Sequence, residues 1–439
     1  MQNKIKQLIE RIKGYSGKKP IKIISHFDTD GITSAAIFSR ALQRANIKFS
    51  LQITKSLDEE FIKNLPESYL FIFLDLASSS LEHLKNKNTE IMIIDHHEMP
   101  SHIIPQNIFM LNPILENAES VSTAALCYLI AKSLSNENTD LANLAIMGMI
   151  GDNHQQNIGR TYDEIIKDSD TIIKKGLLIY PSTRPINKVL EYSSSPYIPN
   201  VTGSYQGVLE ILREANISKN NGSYKALYEL TEEEMSNLTT AIMLRSPSKT
   251  NISNLIGNIY LLKFQNRLED ARELSALINA CSRMDHPETA LGFCLGNKLC
   301  KEESEKIYRE YKQHLISALK HVQEAEKISG KNYTIINAKN NIKDTIIGTT
   351  ASIISHSPFY SEGTIIIALA YNENKIKVSA RMVGKEGRNV REILAKALIS
   401  IGGEVGGHPN AAGCLIEKEK ETQFIAELKK ILDVELIKV

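Results

Sequence analysis

Two rhythms of apolar and polar positions alternate along the first 150 residues. Residues 2–13 carry the three- and four-residue spacing of a short amphipathic helix. Short apolar runs follow at Ile21–Ser25, Lys48–Ile53, Leu70–Leu74 and Glu90–Ile94, with helical patterns at Ile32–Ala45, Ser122–Ser133 and Thr139–Ile150. Strands that are apolar on both faces and separated by helices predict a parallel sheet covered on both sides, a doubly wound α/β domain.

From about 160 to 300 the pattern is mostly helical, broken by the Ser-, Pro- and Gly-rich stretch Tyr192–Tyr205. Residues 301–328 are charged but place Tyr308, Tyr311, Leu315, Leu319 and Val322 at helical spacing, which predicts one long helix joining two domains. Beyond Gly330, strands are expected at Tyr333–Ile336, Thr364–Tyr371 and Lys375–Arg381, the last two joined by Asn372-Glu373-Asn374. Helices are expected near Thr345–Ser355, Asn389–Ile401 and Glu421–Leu432. The predicted architecture is α/β. A parallel-sheet domain covers 1–300 with a helical insertion at about 160–270, a linking helix covers 301–329, and a smaller α/β domain covers 330–439.

Composition narrows the class. At ~150 residues per domain, 439 residues suit two or three domains. With 42% hydrophobic and 23% charged residues the chain reads as globular, not disordered. The longest apolar stretches, such as Leu141–Ile150, reach roughly half the ~18–20 residues of a membrane span. The first twenty residues scatter Lys and Arg with no compact apolar region, so no secretory leader is expected. Five widely spaced cysteines without a C-x-x-C pair argue against a disulfide framework or zinc ribbon, and a cytoplasmic location is expected. A net charge of +1 gives no global field, so a nucleic acid would have to be met by local patches.

The chemistry gathers where predicted strands end. The first runs into His26-Phe27-Asp28-Thr29-Asp30-Gly31, the third into Asp75, and the fourth into Asp95-His96-His97. The later helix ends in Gly151-Asp152. Open parallel sheets bind ligands outside the carboxyl ends of their strands. Asp28, Asp30, Asp75, Asp95 and Asp152 would therefore meet at one rim, where like charges cannot all stay ionised. No Lys or Arg lies in these motifs to compensate them. Two divalent cations would, with His26 and His96 completing the donor set. Mixed carboxylate and imidazole ligation favours Mn²⁺, with Mg²⁺ possible. Such a pair, ~3.5–4 Å apart, is the clamp of phosphoester hydrolysis. The run Asn153-His154-Gln155-Gln156 beyond Asp152 is expected to be an exposed loop.

These motifs, with Gly148-x-x-Gly151-Asp152, resemble those of the DHH phosphoesterase superfamily. Gly403-Glu404-Val405-Gly406-Gly407-His408-Pro409-Asn410-Ala411-Ala412-Gly413 resembles the signature of the DHH-associated domain, and Leu277–Met284 resembles a segment of RecJ nucleases. The likeness covers most of the chain and is nearest to archaeal RecJ-like proteins. It implies one metal on His26, Asp28 and Asp75, and a second on Asp30, Asp75, His96 and Asp152. Asp95 would orient an imidazole, and His97 would face the scissile phosphate. Substrate phosphates would meet Gly406, Gly407 and His408, together with Arg381 at the end of its strand. Asn279 and Arg283, one helical turn apart, either address a nucleotide or pair within the core. Lys385, Arg388 and Arg391 form a basic group diluted by Glu386 and Glu392, equally a solvated face or a nucleic-acid track. The implied activity is a metal-dependent exonuclease on single-stranded DNA or RNA, in replication or repair. Two further readings stay open: a hydrolase of short oligonucleotides or cyclic dinucleotides, and a scaffold binding GINS and the replicative helicase. No membrane partner is expected.

Overall fold

The structure is a computed structural model that describes residues 1–99, 103–156, 158–193, 198–245, 255–357, 360–384, 386–403 and 405–434. The chain divides into two compact units. One comprises Met1–Val189, Ala215–Thr239 and Asn251–Tyr308, and the other Leu190–Glu214, Thr240–Thr250 and Arg309–Val439.

The first unit is built on a five-stranded, wholly parallel sheet. Its strands are β1 (Ile21–His26), β2 (Phe49–Thr54), β3 (Leu70–Leu74), β4 (Ile91–Ile94) and β5 (Ile108–Leu111), in the order β2-β1-β3-β4-β5. Every residue of β3 and β4 is buried, as continuous apolar runs require in a sheet covered on both faces. β5 was not anticipated, although its four apolar residues make a run as long as β4. The helix Gln2–Tyr15 lies against this edge, with Lys4 and Arg11 5.0 and 4.9 Å from the Phe109 ring centroid and Arg11 paired to Glu90 at 2.6 Å. The helix Thr29–Arg44 is buried over most of its length and packs on the helices Thr123–Leu134 and Ala142–Gly151.

Helices at Arg160–Asp168, Ile186–Glu191, Tyr205–Glu214 and Glu232–Arg245 confirm the helical character of the middle stretch. It also holds an antiparallel sheet that the pattern did not announce: β6 (Ile172–Leu177), β7 (Ile256–Phe264) and β8 (Arg267–Asp270), with β7 central. The exposed Tyr205 starts a helix rather than ending a loop, and 194–197 lie outside the described residues. The long helix runs Lys298–Glu324; the last residues expected in it are strand β9 (Lys327–Gly330).

The second unit carries a six-stranded mixed sheet. With β9 are β10 (Tyr333–Asn337), β11 (Ile365–Asn372), β12 (Lys375–Met382), β13 (Val405–His408) and β14 (Ala411–Glu417), in the order β13-β14-β12-β11-β10-β9. Only β10 and β11 among these pairs run parallel. Ile367, Leu369, Ile376 and Val378 on one face pack into a core with Leu394 and Phe424 from the helices Val390–Leu398 and Glu421–Asp433. The helix Asp344–Ser355 packs against β11 and β12. The turn between those strands places Glu373 at φ +52°, and the expected hairpin is there.

Candidate metal centre

Each acidic group is delivered by a backbone device that the local sequence dictates. As β1 ends, Asp28 accepts the Gly31 N–H at 3.0 Å and caps the helix Thr29–Arg44. Ser25 Oγ donates to the Gly31 carbonyl at 2.7 Å, and a Cβ on Gly31 would stand 2.3 Å from the His26 oxygen, so the turn closes only around glycine. As β3 ends, Asp75 and Ala77 take φ of +62° and +86°. That left-handed pair costs of order 1–3 kcal/mol per residue. It is held by the Asp75 N–H donating to Ile94 O at 3.0 Å and the Ser78 N–H donating to Asp95 at 3.1 Å.

The helix Ala142–Gly151 delivers Asp152 as its C-terminal cap. The glycines of that motif are there for closeness. A Cβ at Gly148 would lie 2.4 Å from Ala124 Cβ and 2.6 Å from Asp30 Oδ1; one at Gly151 would lie 2.8 Å from Thr29 Cβ. Asp30 sits fully buried at the start of the helix Thr123–Leu134, accepting the Thr123 and Ala124 N–H groups at 2.7 and 2.9 Å. Those are two of the orphan donors that every helix N-terminus presents. Thr123 Oγ1 also donates to Asp75 at 3.1 Å. Thr123 and Ser78 were not singled out from the sequence, although Ser122-Thr123 before an apolar run is a recognisable helix start.

Among the donor groups that the described residues form, two carry the carboxylates and share Asp75. His26, Asp28 and Asp75 place one ligand atom each within 4.8 Å of one another, and so do Asp30, Asp75, His96 and Asp152. His26 Nδ1 stands 3.0 Å from Asp28 and 3.4 Å from Asp75. His96 Nε2 stands 2.9 Å from Asp152, 3.5 Å from Asp75 and 3.9 Å from Asp30. Asp95 turns away and accepts from His97 Nδ1 at 2.7 Å and from the His96 N–H at 2.8 Å. The four strand-end and helix-end motifs thus come together at one rim.

The electrostatics are those of a site short of positive charge. Burial, then the charges of Asp75 and Asp152, push the Asp30 carboxyl well above the usual carboxylate range; burial and Asp28 raise Asp75. Burial alone would lower His26 and His96. The carboxylates around them outweigh it and hold both imidazoles well above the usual histidine range. His26 Nδ1, Asp75 Oδ2 and His96 Nε2 are buried without a hydrogen-bond partner. Orphaned polar atoms cost free energy wherever they occur; three converging on the same carboxylates fit the donor set of bound cations.

The run after Asp152 departs from the expected exposed loop. Asn153 at φ +58° folds the chain back, and His154 opens a single 3-10 turn, His154–Gln156. Its half-buried ring lies 5.6 Å from the His96 ring and 5.9 Å from Tyr162. Asn279 Oδ1 accepts the Thr29 N–H at 3.1 Å, which is the pairing role left open for it, and braces the Asp28–Asp30 turn. Arg283 is half-buried at the end of the helix Ala271–Arg283, which also carries Asn279.

In the second unit, Arg381 donates through Nε to Ser352 Oγ at 2.8 Å and through Nη1 to Ala380 O at 2.8 Å. Arg381 and His408 both pair with Ala411, from β12 and β13 on either side of β14, so the two occupy one row across the sheet. The glycine-rich stretch is strand at Val405–His408, with Gly406, Gly407 and His408 exposed. Gly407 needs its φ of +114°, because a Cβ there would stand 2.4 Å from Ala411 O. Of the basic group, Arg388 donates to Ile431 and Leu432 carbonyls at 2.6 and 3.1 Å, tying down a helix end; Lys385 lies outside the described residues.

Parallel sheet, strand-end carboxylates and C-terminal mixed sheet define a class of phosphoesterase fold, and comparison with known proteins agrees. The DHH family N-terminal domain matches residues 20–149, the DHH-CID domain 179–257 and the DHHA1 domain 330–433. This chain belongs to the DHH phosphoesterase superfamily and is RecJ-like in architecture. An uncharacterised protein of Methanocaldococcus jannaschii is 29% identical, across 98% of this chain and 97% of its own. RecJ in complex with Mn²⁺ from Thermus thermophilus matches with a TM-score of 0.63 and 16% identity over 98% of this chain, which spans about half (55%) of that protein. CDC45 from Entamoeba histolytica matches with a TM-score of 0.68 and 12% identity, over 98% of this chain and 99% of that one. At such identities the likeness establishes the fold. Among the described residues no helix is long and apolar enough to cross a membrane.

Proposed function

We propose that this protein is a two-metal phosphodiesterase that shortens single-stranded DNA or RNA from an end. One observation carries the reading: two carboxylate–imidazole groups overlap at Asp75, with buried atoms of His26, Asp75 and His96 crowded between them and making no hydrogen bond. His26, Asp28 and Asp75 would hold one divalent cation, and Asp30, Asp75, His96 and Asp152 the other. Mn²⁺ suits this donor set and Mg²⁺ is tolerated. When bound, such a pair supplies Lewis acidity and an activated water for phosphoester hydrolysis.

The protein's own groups prepare the rest. Asp95 accepts from Nδ1 of His97 and so fixes that imidazole's orientation. Burial opposes protonation of His97, but Asp95 raises it above the usual histidine range, leaving a partly exposed N–H donor for a phosphate oxygen. The row containing Arg381 and His408, with Gly406 and Gly407 beside it, supplies a guanidinium and close backbone approach for further phosphates. In this assignment 1–300 is catalytic, 301–329 links, and 330–439 binds substrate.

The test is hydrolysis of single-stranded DNA and RNA, each labelled at either end, with Mn²⁺. A product ladder from one end supports the reading. Cleavage that persists in metal-stripped Asp75→Ala protein sinks it, and activity confined to di- to tetranucleotides or cyclic dinucleotides moves the substrate to small phosphoesters. The full-length overlay on CDC45 favours a second, compatible role in a replicative assembly with GINS and the helicase. Co-purification with GINS subunits tests that role.

A further inference from the structure

We propose that His154 is a second imidazole donor to the cation position formed by Asp30, Asp75, His96 and Asp152, and that it makes the two positions chemically unequal. The inference rests on the proposed metal centre and adds to it a residue outside the motifs that define the family resemblance.

Three observations converge. The ligand atoms of His96, Asp152 and His154 all lie within 4.8 Å of one another, so a ring nitrogen of His154 flanks two groups already assigned to that position. The ring also has aromatic neighbours, the His96 ring at 5.6 Å and the Tyr162 ring at 5.9 Å. Tyr162 is itself fully buried, and its hydroxyl oxygen accepts the Ser122 N–H at 2.7 Å. Finally, the backbone is shaped to bring the ring there. Asn153 turns at φ +58° directly after Asp152, and the helix Arg160–Asp168 that carries Tyr162 is pinned by Glu119, which accepts the Thr161 N–H at 3.0 Å. A Cβ on Gly159 would stand 1.6 Å from that same Glu119 carboxylate, so any larger residue there would displace it.

The consequence is selectivity. One position offers a single imidazole, His26, beside Asp28 and Asp75. The other offers His96 and His154 beside its carboxylates. Imidazole nitrogen suits transition metals, whereas Mg²⁺ prefers oxygen and sheds its water reluctantly. The His154 position therefore retains Mn²⁺ in the presence of Mg²⁺, and the His26 position exchanges it.

The experiment is Mn²⁺ binding to metal-free full-length protein, followed by electron paramagnetic resonance with and without a large excess of Mg²⁺. Wild type is expected to keep one tight Mn²⁺ equivalent under Mg²⁺. His154→Phe keeps a ring against Tyr162 but removes the nitrogens, and His154→Gln controls for that substitution. Both should weaken the retained equivalent about 10- to 100-fold, the range seen when a metal site loses a supporting group, with Mg²⁺ binding unchanged. Variants that hold Mn²⁺ as tightly as wild type overturn the proposal, as does Mg²⁺ displacing both equivalents from wild type. Wild type that takes up no Mn²⁺ at all instead brings down the metal centre itself.

Discussion

The two sheets carry their chemistry in opposite ways. On the parallel sheet, ionisable side chains are buried at strand ends, with Asp30 and Asp95 fully enclosed and Asp75 2% exposed. On the mixed sheet, the row is exposed at His408 and half-buried at Arg381, with the exposed Gly406 and Gly407 beside it. The first arrangement crowds like charges in a low-dielectric rim, and its stability depends on what binds there. The second presents backbone and one tethered guanidinium to solvent, costs little when empty, and tolerates variation. The proposed activity, cutting one bond while gripping variable strands, would gain from rigidity at the first site and latitude at the second.

The sharpest way to break this contrast is at Asp75. Asp75→Asn should reduce Mn²⁺-dependent hydrolysis to the level of metal-stripped protein. The same change removes a buried charge from the repelling cluster, so the metal-free variant should melt higher, by about 2–4 °C for each kcal/mol relieved. Loss of activity with a lowered melting point would mean that the charge is not held against repulsion. Gly148→Ala drives a methyl into Ala124 and Asp30, and overpacking of this kind should cost about 1–3 kcal/mol in denaturant unfolding.

On the other sheet, Arg381→Ala should raise KM roughly 10- to 100-fold, the worth of one charge-assisted hydrogen bond, while Mn²⁺ titration stays as in wild type. A change in metal uptake would erase the division of labour. Proton linkage gives a further contrast. His26 and His96 are raised by the carboxylates around them, so they bind protons more readily than free imidazoles do in the metal-free protein. A cation must displace those protons, and Mn²⁺ affinity should climb with pH, with proton release visible by calorimetry in buffers of different ionisation enthalpy. The smallest effect is expected at Gly406, which has nothing within 4 Å of an added Cβ. Gly406→Ala should stay within about 0.5 kcal/mol, against about 1–3 kcal/mol for the left-handed Gly407.

What the sequence made legible follows the same divide. The rim was readable because β3 and β4 are unbroken apolar runs and β1 a largely apolar one, each stopping on an acidic or imidazole group, and periodicity locates such stops well. β6 was not readable: its sequence Ile-Ile-Lys-Lys-Gly-Leu leaves Ile172 and Ile173 exposed and buries only the last two residues, so neither alternation nor a continuous run marks it. β13 reads Val-Gly-Gly-His and passes for a loop, since its pairing with β14 is made by backbone alone. His154 carried no signal either. Its place depends on one left-handed residue and on a tyrosine eight positions further along the chain, a relation that exists only once the helix Arg160–Asp168 is folded.

The left-handed turn at Asp75 also constrains how the protein can decay. Aspartate and asparagine tolerate φ near +62° far better than branched or bulky residues do. A lineage freed from selection for the proposed hydrolysis would therefore pass most easily through asparagine, one base away from aspartate in the genetic code. The catalyst would be lost in a single step and the scaffold kept intact for other duties.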